Sequence, residues 1–138
     1  MAFKQYLKIE GINGSSTDAG HIGEIKILSY QLGPCASANQ HGATTASKSG
    51  EPAVSNFSFI KEFDSCSPEL FRASFSGSAL PRVVLTEERF KGGSYPFVKV
   101  EVLELKDALV TSIMPAPRGR DSAPTEIVFL DAASLCFK

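Results

Sequence analysis

Phe97-Val98-Lys99-Val100-Glu101-Val102 is the stretch that decides the fold class. From Val98 to Val102 apolar and polar side chains alternate one for one. Only an extended chain sends successive side chains to opposite faces, so the run reads as a strand with one face buried. Its valines suit a pleated surface. Upstream the same two-residue period returns in Asn56-Phe57-Ser58-Phe59. It returns again in Glu24-Ile25-Lys26-Ile27, after which Leu28 and Tyr30 load the other face.

Working outward from these runs, strands are predicted over residues 5–9, 23–32, 56–63, 82–90, 96–105, 108–114 and 126–137, the last bent or broken near Asp131. Lys91-Gly92-Gly93-Ser94 reads as a hairpin turn, because glycine takes positive φ without steric cost. Lys106-Asp107 is either a second tight turn or a bulge inside one long strand, and the sequence leaves both open. One segment, at about 67–76, reads as a helix. Ser67 can cap its start, Pro68 fits the first helical position, and Glu69 complements the positive end of the dipole. Leu70, Phe71, Ser74 and Phe75 share a face and Gly77 can end the helix, so this face is expected to cover a side or an open end of a barrel.

Two loops interrupt the β pattern. The longer, residues 33–54, carries almost no large apolar side chain and cannot bury itself. Structureless loops beyond about 12–15 residues are uncommon within a compact domain and are usually functional or disordered. A loop of this kind can become ordered by lying on a neighbouring copy. The second, residues 115–124, holds Arg118, Arg120 and Asp121.

The 138 residues fit one domain with a real core. Fourteen basic against fifteen acidic residues leave a net charge of −1, which argues against a nucleic-acid partner. It also leaves little long-range repulsion between copies. No run reaches the roughly 18 apolar residues of a membrane helix. The opening Met1-Ala2-Phe3-Lys4-Gln5-Tyr6 lacks the apolar segment of a signal peptide. The expectation is a chain folded in the cytoplasm and, if exported, exported without a cleaved signal.

The sequence offers no catalytic constellation and no metal or cofactor site. Cys35, Cys66 and Cys136 are spaced neither as a disulfide framework nor as a zinc set, and read as free thiols. His21 and His41 both lie in Gly-rich polar loops, where a pairing of His41 with Cys35 is less plausible than two unrelated surface residues. Glu87 and Glu88 are adjacent on a strand and point apart, so they cannot work as paired carboxylates. No Gly-x-Ser-x-Gly elbow, phosphate loop or calcium loop is present.

Tyr6-Leu7-Lys8-Ile9-Glu10-Gly11-Ile12-Asn13-Gly14-Ser15-Ser16-Thr17-Asp18 resembles the opening strand and turn of the haemolysin-coregulated (Hcp) family of type VI secretion tube proteins. His21-Ile22-Gly23-Glu24-Ile25-Lys26-Ile27-Leu28-Ser29-Tyr30 is similar to that family's second strand, with Tyr30 where many members carry Trp. Ser67-Pro68-Glu69-Leu70-Phe71-Arg72-Ala73 resembles its helix, Ala108-Leu109-Val110-Thr111-Ser112-Ile113 a late strand, and Pro124-Thr125-Glu126 the entry to the final one. Each motif alone is weak, but their order and spacing agree over residues 5–137.

The resemblance implies a single tube domain over residues 1–138, a mainly β, compact barrel of two packed antiparallel sheets with the helix on its side. It implies hexameric rings stacked into a hollow tube inside a contractile sheath, a spike protein at the tip and small effectors in the lumen; some members carry an appended toxin domain, and with the chain ending at Lys138 none is expected here. It gives the 33–54 loop the role of reaching neighbouring subunits, so that Gln40, His41, Lys48 and Glu51 become candidates for ring or stacking contacts, with Arg118, Arg120 and Asp121 behind them. Rival readings are a small-molecule- or effector-binding barrel, a secreted effector enzyme, and a tube subunit of a related contractile injection particle. The first would need an apolar cavity in the barrel, where ten Phe and many Ile, Val and Leu predict a filled interior.

Overall fold

The computed structural model describes residues 4–33, 35–36, 53–90, 97–116 and 123–138. In chain order these form β1 (Lys4–Ile9), β2 (Ile25–Ile27), β3 (Ser29–Gln31), β4 (Cys35–Ala36), β5 (Ala53–Glu62), α1 (Ser67–Ser76), β6 (Leu80–Phe90), β7 (Phe97–Pro115) and β8 (Thr125–Phe137). The strands pair in the order β2-β1-β6-β7-β8-β5-β3, with β4 also on β5, and every pairing is antiparallel.

Leu28 alone separates β2 from β3, yet β2 pairs with β1 at one end of the ladder and β3 with β5 at the other. One short stretch of chain therefore sits at both ends of the sheet, which curls until it nearly closes into a barrel. The Leu28 N–H bonds to the Ile60 carbonyl at 2.7 Å and fixes the hand-over. This corrects the single strand expected over residues 23–32. A barrel leaves little free strand edge, and so removes a route to uncontrolled pairing.

The two-residue period places Leu7, Ile25, Phe57, Phe59, Leu85 and Leu130 inside, all fully buried. Each such side chain stabilises the fold by about 1.5–3 kcal/mol. The interior is filled by these residues and their neighbours Leu103, Leu105, Val83 and Val128.

Residues 106–107 lie inside one long strand, β7, and form no turn. Asp107 takes φ +52°, and pairing skips it on both sides, from Lys106↔Ser134 to Ala108↔Ala132, and resumes in the same register. The true bulges of β7 lie where Leu85/Thr86 and Leu130/Phe129 face one residue too many. β8 is unbroken through Asp131. The irregularity expected there sits on its partner, where β5 bulges between Val54 and Phe57. The expected loop over residues 33–54 holds two pieces of sheet, β4 and the first residues of β5, paired Cys35↔Val54 and Ala36↔Ala53. The turn expected at Lys91-Gly92-Gly93-Ser94 lies outside the described residues, although β6 and β7 pair up to Phe90↔Phe97.

The helix has the predicted span, but Cys66 is its N-cap residue and Ser67 its first turn. Leu70 and Ala73 face the core, while Phe71 and Phe75 point outward and pack edge to face at 4.9 Å. Of the expected Leu70-Phe71-Ser74-Phe75 face, only Leu70 reaches the core, and the two Phe side chains turn away from the barrel. Gly77 ends the helix at φ +67°, as predicted.

Candidate functional site

Two features of the described residues bear on function, a polar cluster inside the fold and apolar side chains on its outside. The chemically dense cluster lies where β5 and β8 meet the start of α1. The buried Lys61 ammonium touches Glu126 at 2.5 Å, Asp64 at 3.0 Å and Ser67 Oγ at 3.0 Å. Ser67 Oγ donates to the same Glu126 carboxylate at 2.7 Å, and the Cys66 thiol donates to Asp64. Burial pushes the Lys61 amine down, but its hydrogen bonds to Glu126 and Asp64 outweigh that and hold it above the ordinary lysine range. Burial first, then the bond to Asp64, pushes the Cys66 thiol up to about 12. A fixed ammonium and a fixed thiol are not nucleophiles at neutral pH. The cluster is a polar tether that fastens the helix start to the barrel. Cys66 and Cys136 are free thiols, as expected.

The surface is more informative. Residues directly opposite one another across a sheet share a face. Tyr30, Phe59, Val128 and Ile113 form one such row, and it faces the core. The rows beside it must then face outward. One is Ser29, Ile60, Ile127 and Met114; the other is Gln31, Ser58, Phe129 and Ser112. The outer face of β3-β5-β8-β7 therefore carries Ile60, Ile127, Phe129 and Met114 side by side, and a shallow groove runs over part of it. Met114 is 44% exposed. The Phe71–Phe75 pair on α1 is a second apolar patch, with Phe75 77% exposed. Leu28 and Phe63 line a third, beside Ser15, Ser16, Thr17 and Asp18. Of these outward side chains, Met114, Phe71, Phe75, Leu28 and Phe63 are exposed, while Ile60, Ile127 and Phe129 are half-buried; uncovered apolar surface makes these faces candidates for association.

Gln40, His41, Lys48, Glu51, Arg118, Arg120 and Asp121 all lie outside the described residues. The apolar outer row escaped the sequence reading because Ile127 and Phe129 look like core residues until the register shows which row faces in. His21, read as a loop residue, is buried, at 1% exposure, against β1 and β6. The one local signal for that was Glu24, three positions after it and within reach of its ring.

Residues 6–136 match the family described as "Type VI secretion system effector, Hcp". The chain is 31% identical over 135 residues to Protein hcp1 of Pseudomonas aeruginosa, an alignment covering 98% of this chain and 82% of that protein. Among solved structures it is similar to Hcp1 from Salmonella typhimurium, at 30% identity and a TM-score of 0.69, covering 98% of this chain and 84% of that one. A type VI secretion system effector from Yersinia pestis shares the fold at 21% identity and a TM-score of 0.67, covering 95% and 85% of the two chains.

Proposed function

We propose a function from one premise: this chain belongs to the Hcp family of type VI secretion system effectors. It is a structural subunit of the secretion tube and catalyses nothing. Copies join into rings, hexameric as the resemblance implies, and the rings stack into a tube that is expelled and carries small effectors in its lumen. Its other partners are the spike at the tip and the surrounding sheath. Assembly takes place in the cytoplasm, followed by release without a cleaved signal.

The observation that carries this reading is the presence of unlike apolar patches on one small, well-packed barrel. A ring closed by rotation joins each copy to the next head to tail, so every copy must offer two different surfaces. The Ile60-Ile127-Phe129-Met114 sheet face and the Phe71–Phe75 helix pair are two such surfaces. Gln40, His41, Lys48 and Glu51, with Arg118, Arg120 and Asp121, are proposed to add polar contacts between copies and between rings.

The test is the mass of the native protein by light scattering behind a sizing column. A particle near six times the 14.8 kDa chain supports the proposal. A strict monomer at millimolar concentration, still monomeric with spike and sheath present, overturns it. Deleting residues 42–49 is expected to leave folded protein that no longer stacks, and unchanged long tubes would refute that role for the loop.

A further inference from the structure

Residues 13–24 fold back across the outer face of β1 and β6. The Gly14 N–H bonds to the Gly23 carbonyl at 2.8 Å, the Ser16 N–H to that of Glu24 at 3.0 Å, and the Gly23 N–H to that of Ser16 at 3.0 Å. A side chain at Gly14 would place its Cβ 2.3 Å from the Glu24 carbonyl oxygen, so only glycine allows this approach. At the tip of the loop the His21 ring lies flat on Tyr6, with centroids 3.8 Å apart and planes 5° from parallel. Its Nδ1 is 2.9 Å from Glu24 Oε1 and its Nε2 is 2.6 Å from Glu88 Oε1.

These two contacts fix a proton count. A neutral imidazole has one N–H and one bare acceptor nitrogen, whereas an imidazolium has two donors. An ionised carboxylate only accepts. Two carboxylates at hydrogen-bond distance, one on each nitrogen, are both satisfied when both nitrogens carry protons. The other groups around the ring fit a cation there. Tyr6 offers its electron-rich face, and its hydroxyl donates to Asp18, which places that carboxylate next to the stack. Lys26, on β2, lies 3.9 Å from Asp18, and Lys4, on β1, stands opposite Glu88 in the ladder. The immediate balance at the ring is two carboxylates against one imidazolium.

We propose that His21 is an imidazolium in the folded protein and serves as the charged latch holding the 13–24 loop on the outer face of the barrel. The proton comes from solvent and returns to it. Without that proton one ring nitrogen would face a carboxylate with no hydrogen between them, and that contact would be lost. The loop carries Ile22, 79% exposed, so its seating also sets where that side chain is presented.

Histidine-selective 15N labelling of the native assembly reads the ring protons directly. The chain has only two histidines, so a His41→Gln variant assigns both. With a carboxylate on each ring nitrogen, His21 is expected to show two protonated nitrogens at about neutral pH. In Glu88→Gln at the same pH it is expected to lose one of them. A singly protonated His21 in the unaltered protein overturns the proposal, and so does a pattern that Glu88→Gln leaves unchanged. Hydrogen exchange tests the latch itself. Protection at Ser16 and Gly23 should fall in Glu88→Gln relative to the unaltered protein, while β6 keeps its own. A loop that stays as protected as β6 overturns the latch.

Discussion

The Lys61 ammonium lies 2.5 Å from the Glu126 carboxylate, with Lys61 fully withdrawn from solvent and Glu126 nearly so. A buried pair of this kind is costly to form and more costly to break, because the survivor remains as an unpaired charge. Lys61→Met is therefore expected to destabilise the fold by about 3–5 kcal/mol. Lys61→Met combined with Glu126→Leu removes both charges and should recover most of that loss. Urea unfolding of the two variants checks this, and a double variant no better than the single one would show that Glu126 is not the group left stranded.

Asn56 sits at φ +57° in the β5 bulge, and its N–H bonds to Asp131 Oδ1 at 2.9 Å. Left-handed backbone suits glycine and is tolerated by asparagine, while a β-branched side chain is strained there. Asn56→Gly should be nearly neutral. Asn56→Val should cost about 1–2 kcal/mol, read as a fall in thermal midpoint. Equal midpoints for the two variants would show that the bulge had relaxed to ordinary extended backbone.

The strands were legible because period two is a local property, and Phe57, Leu103 and Val128 obey it. What stayed hidden depends on partners distant in sequence. Leu28 breaks a strand because the chain changes partner there, from β1 to β5. Lys106-Asp107 could not be resolved locally, because Asp suits a turn and also tolerates positive φ inside a strand. Phe71 and Phe75 misled the choice of helix face. Two large apolar side chains outweighed Ala73 in the sequence, yet only Leu70 and Ala73 reach the core, and the Phe pair stays exposed. His21 was invisible for the same reason, since Tyr6 and Glu88 come to it from other strands.

Acid should weaken the fold through named carboxylates. The Lys138 ammonium and the Arg82 guanidinium hold the Glu104 carboxyl below the ordinary range. Burial pushes Asp64 up, but hydrogen bonds from Cys66, Ser15 and Lys61 outweigh it and hold that group low as well. A carboxylate with a depressed value in the folded chain stabilises it above the unfolded value of about 4 and stops doing so as pH falls through the folded one. The urea midpoint is expected to drop between about pH 5 and pH 2, and the drop should be smaller in Asp64→Asn and in Glu104→Gln. An acid limb of unchanged slope in both variants would place its origin elsewhere.

Cys66 should be inert while the chain is folded. With its thiol pushed up to about 12 and its S–H given to Asp64, the reactive thiolate is scarce. At about pH 8 roughly one such thiol in ten thousand is ionised. An alkylating reagent at that pH should leave Cys66 unmodified in native protein and label it fully in urea, as read by peptide mass. Rapid native labelling would show that the helix start opens readily.

The proposed ring makes a prediction that composition alone could not. If the sheet face of one copy meets the Phe71–Phe75 patch of the next, Ile127→Lys and Phe75→Lys should each abolish rings while leaving the fold intact. Both side chains point away from the core, and a lysine in a dry interface leaves a charge unpaired. Each lost apolar contact removes about 1.5–3 kcal/mol at every joint of the ring. Mixing separates this arrangement from other contacts. An Ile127→Lys copy keeps a sound helix patch and a Phe75→Lys copy keeps a sound sheet face, so an equimolar mixture can make one good joint and no more. Light scattering should then find heterodimers in the mixture and monomers in each variant alone. Rings from either variant, or a mixture that stays monomeric, would show that copies meet through other surfaces.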